Sequence, residues 1–230
     1  MQQLIEQMSQ QMPIVFKALN EGFGQTLRLF FVTLAGALPL GLIISFGSMS
    51  KFPPLKWLTR MFVGLIRGTP LMIQLLIIFY FPGLVLGKNI WGSGEAGRFT
   101  AAAISFIINY AAYFAEIFRS GIMSVDEGQF EAGRSLGFNY LQTMRHIIIP
   151  QAFKTVLPTL CNEFIVLIKE TSIAGYVGIM DLTKAGDLIR GRTFKAFLPL
   201  IAVALIYLAL VTVLTWATGK LERRLRRNER

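Results

Sequence analysis

Four long stretches of this chain contain no charged residue. They cover residues 29–50, 68–87, 99–115 and 196–219, which are 22, 20, 17 and 24 residues long. A helix needs about 20 predominantly apolar residues to span the ~30 Å hydrocarbon core of a membrane. Only 16% of the chain is charged, against about a quarter in ordinary soluble domains. These stretches predict a membrane protein and exclude a soluble globular enzyme.

The predicted fold is all-α, with five transmembrane helices. A fourth span is included although it contains Pro158, Asn162 and Glu163, because a polar segment there would leave an even number of crossings. Spans one, three, four and five are predicted at residues 23–48, 99–118, 153–168 and 196–218. Span two is predicted to start at 61–66, to break at 67–70 and to continue to about 86. Pro and Gly break helices, which predicts the interruption at Arg67-Gly-Thr-Pro70.

Three regions follow from this division. Residues 1–22 form a predicted amphipathic helix in the membrane interface, with a polar tail as the alternative. Residues 23–218 form the transmembrane domain, and residues 219–230 form a basic tail that suits anionic lipid better than nucleic acid.

The distribution of Lys and Arg predicts the orientation. The net charge is +10, and the loops on one side hold thirteen bases against seven on the other. Bases are enriched in cytoplasmic loops. We therefore expect the first loop, the loop between spans three and four and the C-terminus to be cytoplasmic, with the N-terminus outside. Residues 171–195 fit this assignment imperfectly, because four of the seven outside bases lie there.

The residue counts limit the chemistry. Cys161 is the only cysteine and His146 the only histidine, so a disulfide within the chain and a multi-residue metal site are not expected. The chain has no G-x-x-x-x-G-K-[ST] motif for ATP. The sequence therefore predicts a chain that is not an enzyme.

The loop between spans three and four is unusually apolar and carries helix signals. Ser124 with Glu127, and Asn139 with Gln142, have the spacing of capping boxes. Gly137 suits the left-handed residue that ends a helix. We call residues 124–149 the elbow and predict two short helices in it. Its apolar residues suit a surface that docks a partner or, alternatively, packing beneath the membrane domain: Phe130, Leu136, Tyr140, Leu141 and Met144.

Part of the elbow resembles a known family. Glu131-Ala132-Gly133, Gly137 and Ile147-x-Ile149-Pro150 match the spacing of the EAA loop of ABC-importer permeases, E-A-A-x3-G-x9-I-x-L-P, with Gly133 for Ala and Ile149 for Leu. Segments at 67–70, 113–121, 150–152 and 162–172 are similar to those of the polar amino-acid uptake permeases. The resemblance covers residues 22–218.

This resemblance implies a subunit of a bacterial cytoplasmic-membrane importer. Its implied partners are a second permease copy or homologue, two cytoplasmic ATPase subunits that bind ATP and Mg, and an extracytoplasmic solute-binding protein. The chain itself is expected to hold no cofactor. The resemblance places Glu131, Ala132, Gly133 and Gly137 in the element that couples to the ATPase. We expect Phe130, Leu136 and Tyr140 to be the apolar contacts.

Glu163 is the most informative residue within the spans. An ionisable group inside a membrane costs at least ~2.5 kcal/mol and usually faces a partner or a water-filled path. Glu163 and Asn162 are therefore predicted to line the path, with a structural pair between Glu163 and Lys169 or another span as the alternative. An ion-coupled secondary transporter or channel that uses Glu163 as a proton or cation site is the competing function.

Three further polar groups are candidates for the path. Asn109 lies in span three, and Arg67 suits a substrate carboxylate or a helix-end anchor. Glu116 is three residues before Arg119, a spacing that favours a structural pair or a gate over a substrate contact.

Overall fold

The chain is helical throughout its regular structure in the computed structural model, which describes residues 2–92, 94–195 and 197–226, with side chains from Pro13 to Arg224. The elements in chain order are α1 Gln2–Ser48, α2 Pro53–Arg67, α3 Leu71–Val85, α4 Glu95–Met123, α5 Gly128–Ser135, α6 Tyr140–Thr143, a π-helical segment Met144–Ile148, α7 Ile149–Glu170, a 3₁₀ segment Thr171–Val177, α8 Leu182–Thr193 and α9 Leu198–Arg226. The all-α prediction is confirmed for these residues.

Three described helices are long and apolar enough to cross a membrane, within Pro13–Ser48, Glu95–Met123 and Leu198–Arg224. The α2–α3 pair meets the same criteria only if it counts as one broken span, which would make four. α7 contains the predicted fourth span, and its hydropathy does not meet those criteria. The five-span count therefore stays a prediction.

α1 is longer than the sequence analysis suggested. It continues without a break from Gln2 to Ser48, so no loop separates the predicted interfacial helix from span one. Its interfacial position stays a prediction, and the side chains of residues 1–12 lie outside the described ones. Residues 227–230 of the predicted basic tail also lie outside the described part of the chain.

The predicted interruption at 67–70 is present. α2 ends at Arg67, and α3 begins at Leu71 directly after Pro70. The residue before a proline is disfavoured in the α conformation, and a proline is well suited to precede or begin a helix. Gly68 closes α2 by donating its backbone N–H to the Gly64 carbonyl at 2.9 Å.

The fold divides into two compact units. One holds the described residues up to Thr33, with Leu71–Ser105 and Val166–Val213; the other holds Leu34–Pro70, Phe106–Ile165 and the described residues from Leu214. In the first unit, Ala18 of α1 packs against Ala185 and Ile189 of α8. In the second, the aromatic side chains Tyr110 and Phe114 of α4 are among the largest fully buried ones, with ring centroids 5.9 Å apart.

Small residues let the helices of the second unit approach closely. Ala37 and Gly41 are four residues apart on α1 and are buried. A Cβ at Gly41 would lie 2.8 Å from Phe114 Cβ and 2.9 Å from the Ala111 carbonyl oxygen, both on α4. Without a hydrophobic driving force inside lipid, packing of this kind is what holds membrane helices together.

Candidate functional site

The first helix of the elbow begins later than predicted. Ser124 and Glu127 do not form a capping box, because α4 continues to Met123 and the Ser124 hydroxyl donates to the Gly121 carbonyl at 2.8 Å. Ser124 therefore closes α4. The carboxylate of Asp126 accepts from the Gly128 N–H at 2.7 Å where α5 begins. That capping prediction was wrong because span three was predicted to end too early.

The turn between the elbow helices is as predicted. Gly137 has a φ of +80°. The Phe138 N–H donates to the Gly133 carbonyl at 3.0 Å and the Gly137 N–H to the Arg134 carbonyl at 2.9 Å, which is the Schellman pattern. Asn139 and Gln142 form the predicted reciprocal capping box, with both bonds at 2.9 Å.

The second elbow helix does not stop at Pro150. α6 continues through the π-helical segment directly into α7, which begins at Ile149. A proline inside an α-helix removes a backbone hydrogen bond and clashes with the carbonyl four residues earlier. We attribute the wider π turn before Pro150 to the room it gives that ring. The elbow is therefore joined to α7 without a loop.

Gly133 lies where the two arms of the elbow meet. A Cβ there would be 2.7 Å from the Thr143 hydroxyl oxygen, 2.8 Å from Thr143 Cγ2 and 3.3 Å from Ile147 Cδ1. Gly133 and Thr143 are both buried. The presence of Gly133, where the EAA pattern has Ala, therefore fits the close approach of Thr143. Gly in a helix costs roughly 1 kcal/mol relative to Ala.

Gly133→Ala should loosen the elbow in spite of that propensity gain. The added methyl group must displace a buried β-branched side chain, and overpacking of this kind typically costs about 1–3 kcal/mol. We expect faster amide hydrogen exchange over residues 128–148, measured by mass spectrometry. The double variant Gly133→Ala/Thr143→Ala should restore slow exchange. Unchanged or slower exchange in the single variant would contradict the close approach.

The elbow presents an apolar face. The side chains of Leu136, Tyr140 and Leu141 are 71%, 66% and 76% exposed, whereas Met144 is buried. The half-buried Phe130 ring stacks on Tyr140, with centroids 6.4 Å apart and planes within 14°. Glu131 and Ala132 are also exposed. We name Phe130, Leu136, Tyr140 and Leu141 the apolar face.

A second candidate region is a charged cluster near the end of α4. Arg119 forms a two-point ion pair with Glu116, with its Nε donating to Oε2 at 3.0 Å and its Nη2 to Oε1. The guanidinium of Arg67 lies 5.2 Å from the centre of the Tyr113 ring, one turn before Glu116. The structure thus brings Arg67 and Glu116 together, and both already have partners.

Of the other predicted path residues, Asn109 lies on α4 seven residues before Glu116, and Asn162 and Glu163 lie on α7. Asn109 is buried in α4, while on α7 Asn162 is exposed and Glu163 half-buried. Asn109 and Glu163 each have an interaction within the chain. The next residue, Phe164, packs edge-to-face on Phe114 of α4 at 6.0 Å. Their role as path residues stays a prediction.

Sequence reasoning missed Asp181. This residue is 1% exposed and caps α8 by accepting the Lys184 N–H at 2.8 Å. Burial raises its pKa from 3.8 to about 7, against the lowering effects of backbone hydrogen bonds and of the Lys184 charge. The available signal was an Asp three residues before a Lys at the start of a polar segment, which is a weak N-cap pattern.

These features define a class of protein: a helical protein with several membrane-length apolar helices, in which a two-helix elbow continues directly into the 22-residue helix α7. Residues 37–227 match the family described as binding-protein-dependent transport system inner membrane component. The chain belongs to this family. It is therefore a transport subunit of the inner membrane, and the ion-coupled alternative is not supported.

Curated relatives match almost the whole chain. The arginine transport system permease protein ArtQ of Bacillus subtilis is 36% identical over 209 residues, or 91% of this chain and 93% of the relative. The probable glutamine ABC transporter permease protein GlnM of Bacillus subtilis is 39% identical over 213 residues, or 93% and 95%.

Solved structures share the fold. The crystal structure of an amino acid ABC transporter with histidines is 39% identical and has a TM-score of 0.84, over 93% of this chain and 96% of that one. An inward-facing MetNI methionine ABC transporter has a TM-score of 0.70 over 93% and 97%, at 20% identity. The second comparison shows the fold alone.

Proposed function

We propose that this chain is the permease subunit of an ATP-driven importer that translocates a polar amino acid delivered by an extracytoplasmic binding protein. The relatives named for arginine and glutamine and the structure of an amino acid transporter with histidines support this substrate class. All three named amino acids have polar or charged side chains.

The observation that carries the coupling role is the apolar face on a stiff support. Exposed aromatic and aliphatic side chains on a helix pair suit a groove on a partner. The Schellman turn, the capping box and the Gly133 contact hold the two arms in one geometry. ATP-driven closure of two partner ATPases would therefore move the elbow as a unit, and α7 with it. ATP and Mg belong to those ATPases, and this chain holds no cofactor in the proposal.

The proposed topology has five spans, with the elbow and C-terminus cytoplasmic and the N-terminus outside. The 22 residues of α7 are ~33 Å long at 1.5 Å per residue, enough for a crossing. The bases of the elbow and of the end of α9 then lie on the inner side. A second permease, identical or homologous, completes the path.

For the path itself we propose Glu163 and Asn162 on α7 and Asn109 on α4. A half-buried carboxylate beside an exposed amide suits an amino or cationic group of the substrate. Arg67 and Glu116 are also proposed for the path, where the existing Glu116–Arg119 pair would have to rearrange to contact substrate.

Uptake by this chain should require ATP inside the vesicle. Proteoliposomes that contain the chain, the ATPase subunits and the second permease should accumulate radiolabelled arginine, glutamine or histidine only with binding protein outside and MgATP inside. Vesicles with a non-hydrolysable ATP analogue are the control. Equal uptake driven by a proton or sodium gradient without ATP would reject the proposal.

A further inference from the structure

A cluster of buried hydroxyl groups surrounds one end of α8 in the first unit. Tyr207 of α9 has a buried phenolic oxygen, and the Asp181 carboxylate acts on it electrostatically. Three threonine hydroxyls are hydrogen-bonding neighbours of the Tyr207 hydroxyl: Thr26 of α1, Thr171 of the 3₁₀ segment and Thr183 of α8. We call these four groups the hydroxyl cluster. Four separate elements thus meet at the Tyr207 hydroxyl, on which Asp181 also acts.

The carboxylate of Asp181 is only half satisfied. Oδ1 accepts the Lys184 N–H, but the buried Oδ2 has no hydrogen-bond partner among the described residues. A buried carboxylate oxygen without a donor is costly when it is charged, and the group then tends to take up a proton instead.

The surrounding backbone leaves little room for solvent. A Cβ at Gly22 of α1 would lie 2.8 Å from the Asp181 carbonyl oxygen, and one at Gly175 would lie 3.0 Å from Asp181 Oδ1. The Thr26 hydroxyl of α1 accepts a hydrogen bond at 3.2 Å from the backbone N–H of Leu182, the residue after Asp181. α1 and the 3₁₀ segment therefore close tightly on both sides of the turn that starts α8.

We infer that Asp181 is held as a neutral carboxylic acid in the tightly packed turn that starts α8, and that the neutral form keeps α8 docked on α1. An ionised Asp181 would leave a buried, charged Oδ2 without a donor, whereas the protonated form removes that charge. Among the described residues, the titratable groups that act on Asp181 are Lys184 of its own helix and Tyr207 of α9. α1 and the 3₁₀ segment present neutral Thr26 and Thr171.

The direction of the pH dependence follows from the raised pKa of about 7. The folded state holds the proton more tightly than the unfolded state, whose Asp titrates near 3.9. The stabilisation is complete below pH ~4, declines as the pH rises towards 7, and is lost above it. The α8 docking should weaken over the same range.

Asp181→Asn tests the proposal, because the amide still caps α8 but cannot ionise. The full chain in detergent micelles is unfolded thermally between pH 4.5 and 8.5, followed by tryptophan fluorescence. We expect the wild-type Tm to fall with pH more steeply than that of Asp181→Asn, which should be the more stable at pH 8. Asp187→Asn is the matched control, since Asp187 is on the same helix, is half exposed and pairs with Arg190 at 3.1 Å. Its Tm profile should parallel the wild type.

Infrared spectroscopy adds a direct readout. At pH 5.5 the wild type and Asp187→Asn should show a carboxylic-acid C=O band that Asp181→Asn lacks. Absence of that difference, or parallel Tm profiles for wild type and Asp181→Asn, would overturn the inference. A rise in wild-type Tm at pH 8 when Na⁺ replaces choline, absent in Asp181→Asn, would assign the site to a cation and also overturn it. Should Asp181→Asn not fold, Asp181→Ser makes the same comparison.

Discussion

Replacing Leu136 by Asp should lower ATP-driven uptake more than tenfold while leaving the chain folded. Leu136 is 71% exposed and lies at the end of α5, so the change removes little packing within the chain. If the apolar face enters a partner, the new carboxylate must be buried against apolar groups, which costs several kcal/mol. Since 1.4 kcal/mol is tenfold in affinity, uptake should fall by more than tenfold. Initial uptake rates in proteoliposomes measure this.

Phe52→Asp is the matched control for that experiment. Phe52 is 63% exposed, lies in the first loop on the same predicted side, and precedes α2 at a position where Asp is favoured. Uptake in Phe52→Asp should stay within twofold of the wild type. Wild-type uptake rates in Leu136→Asp, with normal Tm, would show that the apolar face does not couple to the ATPase.

Gly41→Leu should prevent the second unit from folding stably. The first side-chain atom alone would stand 2.8 to 2.9 Å from Phe114 Cβ and the Ala111 carbonyl, and 3.2 Å from the Ala115 nitrogen. Backbone atoms cannot move aside as a flexible side chain can. The cost should therefore exceed the ~1–3 kcal/mol of ordinary overpacking. We expect loss of the monodisperse peak in size-exclusion chromatography after detergent extraction.

Gly24→Leu provides the comparison within the same helix. A Cβ at Gly24 would have no heavy atom within 4 Å, so this variant gains the same helix propensity without a clash. It should elute as the wild type does and be at least as stable. Gly41→Ala should be intermediate between the two leucine variants. Equal behaviour of Gly41→Leu and Gly24→Leu would contradict the close approach of α1 and α4.

The sequence determined those features that depend on local chemistry. Gly137 could be predicted because a left-handed φ strongly favours Gly, and Asn139 with Gln142 because a capping box involves only neighbours. The break at 67–70 followed from Gly68 and Pro70 in the same way. All three concern backbone conformation within a few residues.

Features that depend on tertiary contacts were not predictable. Ser124 has a good N-cap pattern, yet the length of α4, set by packing against neighbours, converts it to a C-terminal cap. Gly133 alone predicts only a weakened helix, because the sequence does not show that Thr143 packs against it. Asp181 looks like a loop residue, because neither burial nor the approach of Thr26, 155 positions earlier, is visible in its neighbourhood.

The π-helical segment sets the rotational phase between the elbow and α7. Each residue of an α-helix turns the chain by ~100°. Deleting one residue within Met144–Ile148 would therefore leave both helices intact and aim the apolar face in another direction. An elbow grafted from a relative onto this chain must accordingly bring its own residues 144–150. Insertions and deletions should be tolerated far better in the Gly-rich stretch before α4 than within Met144–Ile148.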